Sequence, residues 1–163
     1  MIDSKVERFG LRTSESVQKA IVKAGMHMTP LLDIDTGTLT FSNGLRLEAL
    51  MAPAALSGRY ATLRDRELFL EPCPVTGGVL APVCLFQEGA LVAVTLYVSA
   101  AGGRERPGAD RQRAFLTRRL HLKDPCPDTM GCVRVRCPFG ELLLSTDPYT
   151  GQSAALISYI PED

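Results

Sequence analysis

Val133-Arg134-Val135-Arg136-Cys137 alternates apolar with polar or charged residues and breaks at Pro138. The chain resumes as Phe139-Gly140-Glu141-Leu142-Leu143-Leu144-Ser145 and turns through Thr146-Asp147-Pro148-Tyr149-Thr150-Gly151. It returns as Ala154-Ala155-Leu156-Ile157-Ser158-Tyr159-Ile160. Two apolar runs joined by a loop containing Pro and Gly read as a hairpin, and both are apolar enough to lie inside a sheet. This stretch fixes the fold class, and the rest of the chain is read outward from it.

Immediately upstream, Asp110 is placed to cap a helix running to Leu122. Leu116 with Leu120, and Phe115 with Leu122, form its core-facing stripe, and Pro125 ends it. Ala100 to Gly108 reads as a loop. Before it, Val79–Phe86 and Ala90–Val98 flank a turn at Gln87-Glu88-Gly89. Pro82 marks the first of these strands as an edge or the site of a bulge, because proline cannot donate to a ladder. The second is nearly all apolar and β-branched, which predicts a central strand buried on both faces.

Nearer the start, Leu31–Ile34, Thr38–Phe41 and Leu45–Leu47 are short strand signals separated by Asp35-Thr36-Gly37 and Ser42-Asn43-Gly44. Asn43-Gly44 predicts a tight hairpin, since both residues tolerate positive φ. Pro53 to Gly58 reads as one helical turn and Glu67–Glu71 as a strand. Pro72-Cys73-Pro74 reads as a rigid loop, followed by a flexible one at Thr76-Gly77-Gly78. Val17, Ala20, Ile21 and Ala24 share one stripe of an N-terminal helix, with Thr13 or Ser14 at its start and Gly25 at its end; Met1 to Arg12 is a loose lead-in. Strands linked by short turns, with helices outside the run, predict a single α+β domain over residues 1–163. Its core is an antiparallel β-meander sheet, with one N-terminal helix and one helix before the C-terminal hairpin.

The chain has 163 residues, 45% apolar and 22% charged, with a formal net charge of zero. That is enough to bury a core and gives no global field toward nucleic acid or membrane. No Trp and only two His leave few groups for proton transfer near neutral pH. Asp3, Glu7 and Glu15 interrupt the first twenty residues, so a secretory signal is not expected. The five cysteines then read as reduced thiols of a cytoplasmic protein.

Thr36-Gly37-Thr38-Leu39-Thr40-Phe41-Ser42-Asn43-Gly44-Leu45, together with Phe139-Gly140, Ser145, Asp147, Gly151-Gln152-Ser153 and Tyr159, resembles a group of small bacterial proteins of unassigned function. The resemblance covers residues 31–160. This chain departs from the group's pattern at Phe139, where the group carries Trp, and in the strongly basic helix. Some such proteins look like neighbours or immunity partners of secreted toxins. The resemblance therefore implies a binding role, and it carries over no catalytic residue.

Three chemical readings follow from the residues. Arg104 to Lys123 holds seven cations against Glu105 and Asp110, net +5 in a neutral chain. Arg111, Arg113, Arg118 and Arg119, extended by Arg134 and Arg136 on one strand face, are the expected binding surface for an acidic protein. No aromatic platform accompanies them for nucleic acid. His121, Cys126, Cys132 and Cys137 are the letters of a Cys₃His zinc set, but their spacing lacks the usual close Cys pairs. Ser145 or a cysteine with His121 and Asp147 spells a hydrolase or thiol enzyme without a nucleophile elbow, and the turn at Asp147 and Gly151 explains those residues by geometry. The expectation is a non-enzymatic protein-binding domain without a cofactor, immunity-like or secretion-associated, with homodimer formation open.

Overall fold

The computed structural model describes residues 31–99, 107–122 and 131–159. The predicted N-terminal helix lies outside them. Two short strands, β1 (Leu39–Thr40) and β2 (Arg46–Leu47), form a ribbon, and a 3₁₀ turn spans Pro53–Leu56. The main sheet comprises β3 (Tyr60–Arg64), β4 (Glu67–Leu70), β5 (Cys73–Val75), β6 (Gly78–Gln87) and β7 (Ala90–Val98), then β8 (Val133–Cys137), β9 (Gly140–Thr146) and β10 (Ser153–Tyr159). Helix α1 (Ala109–Arg119) stands between β7 and β8 in the chain. The class is α+β with a mostly antiparallel sheet, in the order β3-β4-β6-β7-β10-β9-β8, and β5 pairs with β6 beside β4.

The order is not a continuous meander. After β7 the chain passes through α1 to the far edge at β8, then returns through β9 so that β10 docks against β7. The hairpin at 140–159 therefore closes the sheet from inside, as its apolar runs require. Alternation assigns its faces: Leu142, Leu144, Ala155 and Ile157 are fully buried, whereas Leu143, Ala154 and Leu156 between them are half-buried.

β7 is central, as expected, but only one of its faces is closed. Val94, Leu96 and Val98 are buried, while on the opposite face Tyr97 is 37% exposed and Thr95 half-buried. A run of β-branched residues predicts a strand without saying how many layers cover it. Pro82 sits where the neighbour of β6 changes: β4 pairs as far as Val83 and β5 takes over from Leu80. The bulge falls instead between Leu85 and Phe86. The Gln87–Ala90 connection has Glu88 and Gly89 at φ +53° and +81°, a type I′ turn matched to the sheet's twist.

Three other expectations change, and one strand stands where none was expected. Cys73–Val75 is a strand and not a rigid loop, because its backbone pairs with Gly78–Leu80. β3 had no apolar alternation to announce it; it pairs with β4 across a tight turn at Asp65-Arg66. Leu31–Ile34 contributes a single bridge, Leu32 to Leu39. The Asn43-Gly44 hairpin has three loop residues: the Gly44 N–H donates to the Phe41 carbonyl, and only Gly44 takes positive φ. Asn43 instead accepts the Leu45 N–H on its Oδ1.

The residue 31–47 segment lies across the closed face of the sheet and is tied at both ends. At the hairpin tip, Ser42 Oγ donates to the Pro74 carbonyl at 2.6 Å and Asn43 Nδ2 to Cys73 Sγ at 3.5 Å. At the other end, Tyr159 Oη donates to the Gly37 carbonyl at 2.7 Å. Leu39, Phe41, Leu45 and Leu47 are thereby buried in one core with Leu80, Leu96, Ile157 and the apolar residues of α1.

Candidate functional site

Helix α1 closes the remainder of that core, through Phe115, Leu116 and the following Leu120. Its N-cap is Gly108, without a side-chain cap; Asp110 is in the first turn, where its charge suits the helix dipole. Gln112, 1% exposed, takes the capping residue's place as the main polar tie. Its Oε1 accepts from the Ser153 N–H at 2.8 Å and from Gln152 Nε2 at 2.9 Å, and its Nε2 donates to the Pro107 carbonyl at 2.7 Å and to that of Gly151 at 3.3 Å. Its four bonds use all of its hydrogen-bonding capacity, one closing the helix start on Pro107 and three seating it on residues 151–153. The helix ends three residues before the expected Leu122. The Leu122 N–H donates to the Thr117 carbonyl and the His121 N–H to that of Arg118, with His121 at φ +56°. This is a Schellman stop with histidine at the left-handed position, reached before Pro125 bears on the chain.

Between α1 and the β5–β6 turn lies a cleft of about 470 Å³. Its walls include Val79, Val98, Ala114 and Phe115, and Arg111 and Arg118 both line it. The glycines at the turn make the cleft possible. A β-carbon on Gly78 would stand 2.8 Å from Phe115 Cζ, and Gly77 holds φ +92°. Both arginines are exposed, and among the described residues neither guanidinium has an ion-pair or hydrogen-bond partner. Two solvated guanidinium groups over an apolar wall favour an anion with an apolar body.

The other arginines of the expected surface are placed differently. Arg113 Nη1 donates to Thr146 Oγ1 at 3.1 Å, which fixes it to β9. Arg119 is half-buried, its buried Nε has no hydrogen-bond partner, and burial together with Arg118 holds its guanidinium below the ordinary value. Arg134 pairs with Glu141, and Arg136 lies opposite Glu141 in the ladder. Both point away from the face on which Val133 and α1 pack, so the sheet separates them from the helical arginines. The continuous patch read from the sequence is thus two surfaces, because alternation along β8 turns Arg134 and Arg136 outward. Arg104, Arg106 and Lys123 lie outside the described residues.

The enzyme constellation is not assembled. Gln112 touches the β9–β10 loop, and His121 lies nine residues further along, about 13 Å down the helix axis. Ser145 faces the open side of the sheet beside Tyr97 and Ala154. Asp147 is spent on its turn, accepting the Tyr149 N–H on its side chain and the Gly151 N–H on its carbonyl. The zinc set fails on distance. Cys132 immediately precedes β8 and Cys137 ends it, about 16 Å apart in extended chain. Cys126 lies outside the described residues, and among those described no cluster of three metal-ligating side chains occurs.

Comparison with protein-family models, with curated proteins and with solved structures finds no match. Among the described residues, no helix is long and apolar enough to cross a membrane. The residues missed in the sequence are Gly77, Gly78 and Phe115. The Gly-Gly pair was visible, but its use as a seat for a ring 37 residues away was not.

Proposed function

We propose that the chain is a non-enzymatic protein-binding domain that receives an acidic surface of another protein on the outward side of α1. One observation carries this reading: Arg111 and Arg118 line one cleft and have no anionic partner among the described residues. Arginine without a carboxylate partner, set beside apolar side chains, is a common anchor composition at protein interfaces. The resemblance to small bacterial proteins of unassigned function, some of which look like neighbours or immunity partners of secreted toxins, supports a cytoplasmic, bacterial setting for that role. The test is affinity capture from the native cell with the full chain, side by side with an Arg111→Glu/Arg118→Glu variant. The expected result is a stoichiometric acidic protein retained by the first and lost by the second. Failure to recover any stoichiometric partner, or equal recovery by both, overturns the reading.

A further inference from the structure

The cleft is specific enough to name the shape of what it takes. Resting on the protein-binding reading, we infer that it holds an extended acidic segment of the partner in which two carboxylate side chains, three residues apart, flank two apolar residues. Arg111 and Arg118 are seven residues apart on one helix face, which separates their Cα atoms by about 10.5 Å along the axis. A polyproline-type extended chain advances about 9.3 Å in three residues and brings the same side round again. Two carboxylates at that spacing meet the two guanidinium groups together. A flat β-strand instead turns residues three apart to opposite sides.

The walls select what lies between the charges. Val79, Val98, Ala114 and the ring of Phe115 present hydrocarbon, and the missing β-carbon at Gly78 lets that ring seat against the β5–β6 turn as part of an apolar floor. A nucleic-acid strand has the charge but not the fit. Phe115 is 6% exposed and packed edge-on against Gly78, so it offers no face for a base to stack on. The volume of about 470 Å³ lies within the range of a ligand cleft and accepts two or three residues of chain.

The test is fluorescence-anisotropy titration of the full chain with a labelled eight-residue peptide containing Glu-Leu-Leu-Glu. Controls are the Gln-Leu-Leu-Gln peptide, inorganic polyphosphate and an RNA octamer. The proposal expects binding of the acidic peptide that weakens with salt, and a loss of about tenfold or more with the Gln peptide. Arg111→Gln or Arg118→Gln is expected to produce a similar loss, and the remote Arg46→Gln none. Because a methyl at Gly78 crowds Phe115, Gly78→Ala is compared at an unfolding midpoint equal to that of wild type; a displaced Phe115 then narrows the cleft and weakens binding. Equal binding of the acidic and Gln peptides, tighter binding of RNA or polyphosphate, or insensitivity to both arginine substitutions overturns the proposal. If the peptide does not bind while capture of a cellular partner still depends on Arg111 and Arg118, the segment model alone falls. If capture fails as well, both readings fall.

Discussion

Tyr159 Oη donates a 2.7 Å hydrogen bond to the carbonyl of Gly37, 122 residues away in the chain. At the same point Phe139 and Tyr159 pack tilted at 57°, 5.8 Å between centroids, and a β-carbon on Gly37 would stand 2.6 Å from Phe139 Cγ. The bond and the close approach join the N-terminal ribbon to β10 and to the β8–β9 turn. Two sequence signatures more than 90 residues apart therefore meet at one contact.

Removing either partner is expected to loosen that join. Tyr159→Phe leaves a buried carbonyl without its donor and should cost about 1–3 kcal/mol. Gly37→Ala must tolerate φ +77° and displace a ring, and should cost about 2–4 kcal/mol. Urea midpoints measure both. Adding Phe139→Leu to Gly37→Ala should recover part of the loss, a non-additive cycle that a purely conformational effect at Gly37 does not produce.

Gln112 is predicted to be more costly to lose than its helical position implies. Gln112→Ala removes four hydrogen bonds and leaves the buried Ser153 N–H unsatisfied, for about 2–3 kcal/mol of destabilisation in urea unfolding. Gln112→Glu keeps the acceptor but turns a carboxylate oxygen toward the Pro107 and Gly151 carbonyls. Its stability should improve as pH falls and the side chain regains a donor, whereas that of Gln112→Ala should not.

His121→Gly is expected to stabilise the protein by about 1 kcal/mol, since glycine takes the left-handed stop at no steric cost. Thermal unfolding measures it directly. A loss of stability on this change would count against the Schellman reading.

Burial holds the Cys84 thiol up at about 12, with Cys73 adding to the effect. Burial raises Cys73 and Tyr159 as well. Raised values mean that the folded state keeps these protons more tightly than the unfolded chain. Their stabilisation is full below about pH 9 and is lost as pH rises toward 12. Unfolding midpoints should therefore fall through that window, and Cys84→Ala should flatten the fall even where it lowers stability at neutral pH. In the native state at pH 8, iodoacetamide should modify the partly exposed Cys132 and Cys137 ahead of the buried Cys73 and Cys84; mass spectrometry of a Cys126→Ser variant reads the order.

Much of the fold was legible because its signals are local. The runs at 79–86, 90–98, 140–146 and 153–159 announce strands by composition, and the turns between them by Gly, Pro and Asx residues. Asp147 and Gly151 read correctly as turn residues, since the bonds of Asp147 and the Gly151 N–H close the turn within residues 147–152. β3 was silent because pairing with β4, and not its own pattern, makes it a strand. The candidate site was half legible. The arginines stood out, but their sharing of a cleft depends on Phe115 meeting Gly78.

By itself the sequence determined the long apolar strands β6, β7, β9 and β10 and the turns that join β6 to β7 and β9 to β10, because alternation and turn chemistry act between near neighbours. Only the tertiary structure decided that β10 inserts beside β7, that Gly37 lies under Phe139 and Tyr159, and that Arg111 and Arg118 border one cleft while Arg134 and Arg136 face the other side of the sheet. Those outcomes depend on contacts between residues tens of positions apart, whose energies no local pattern encodes.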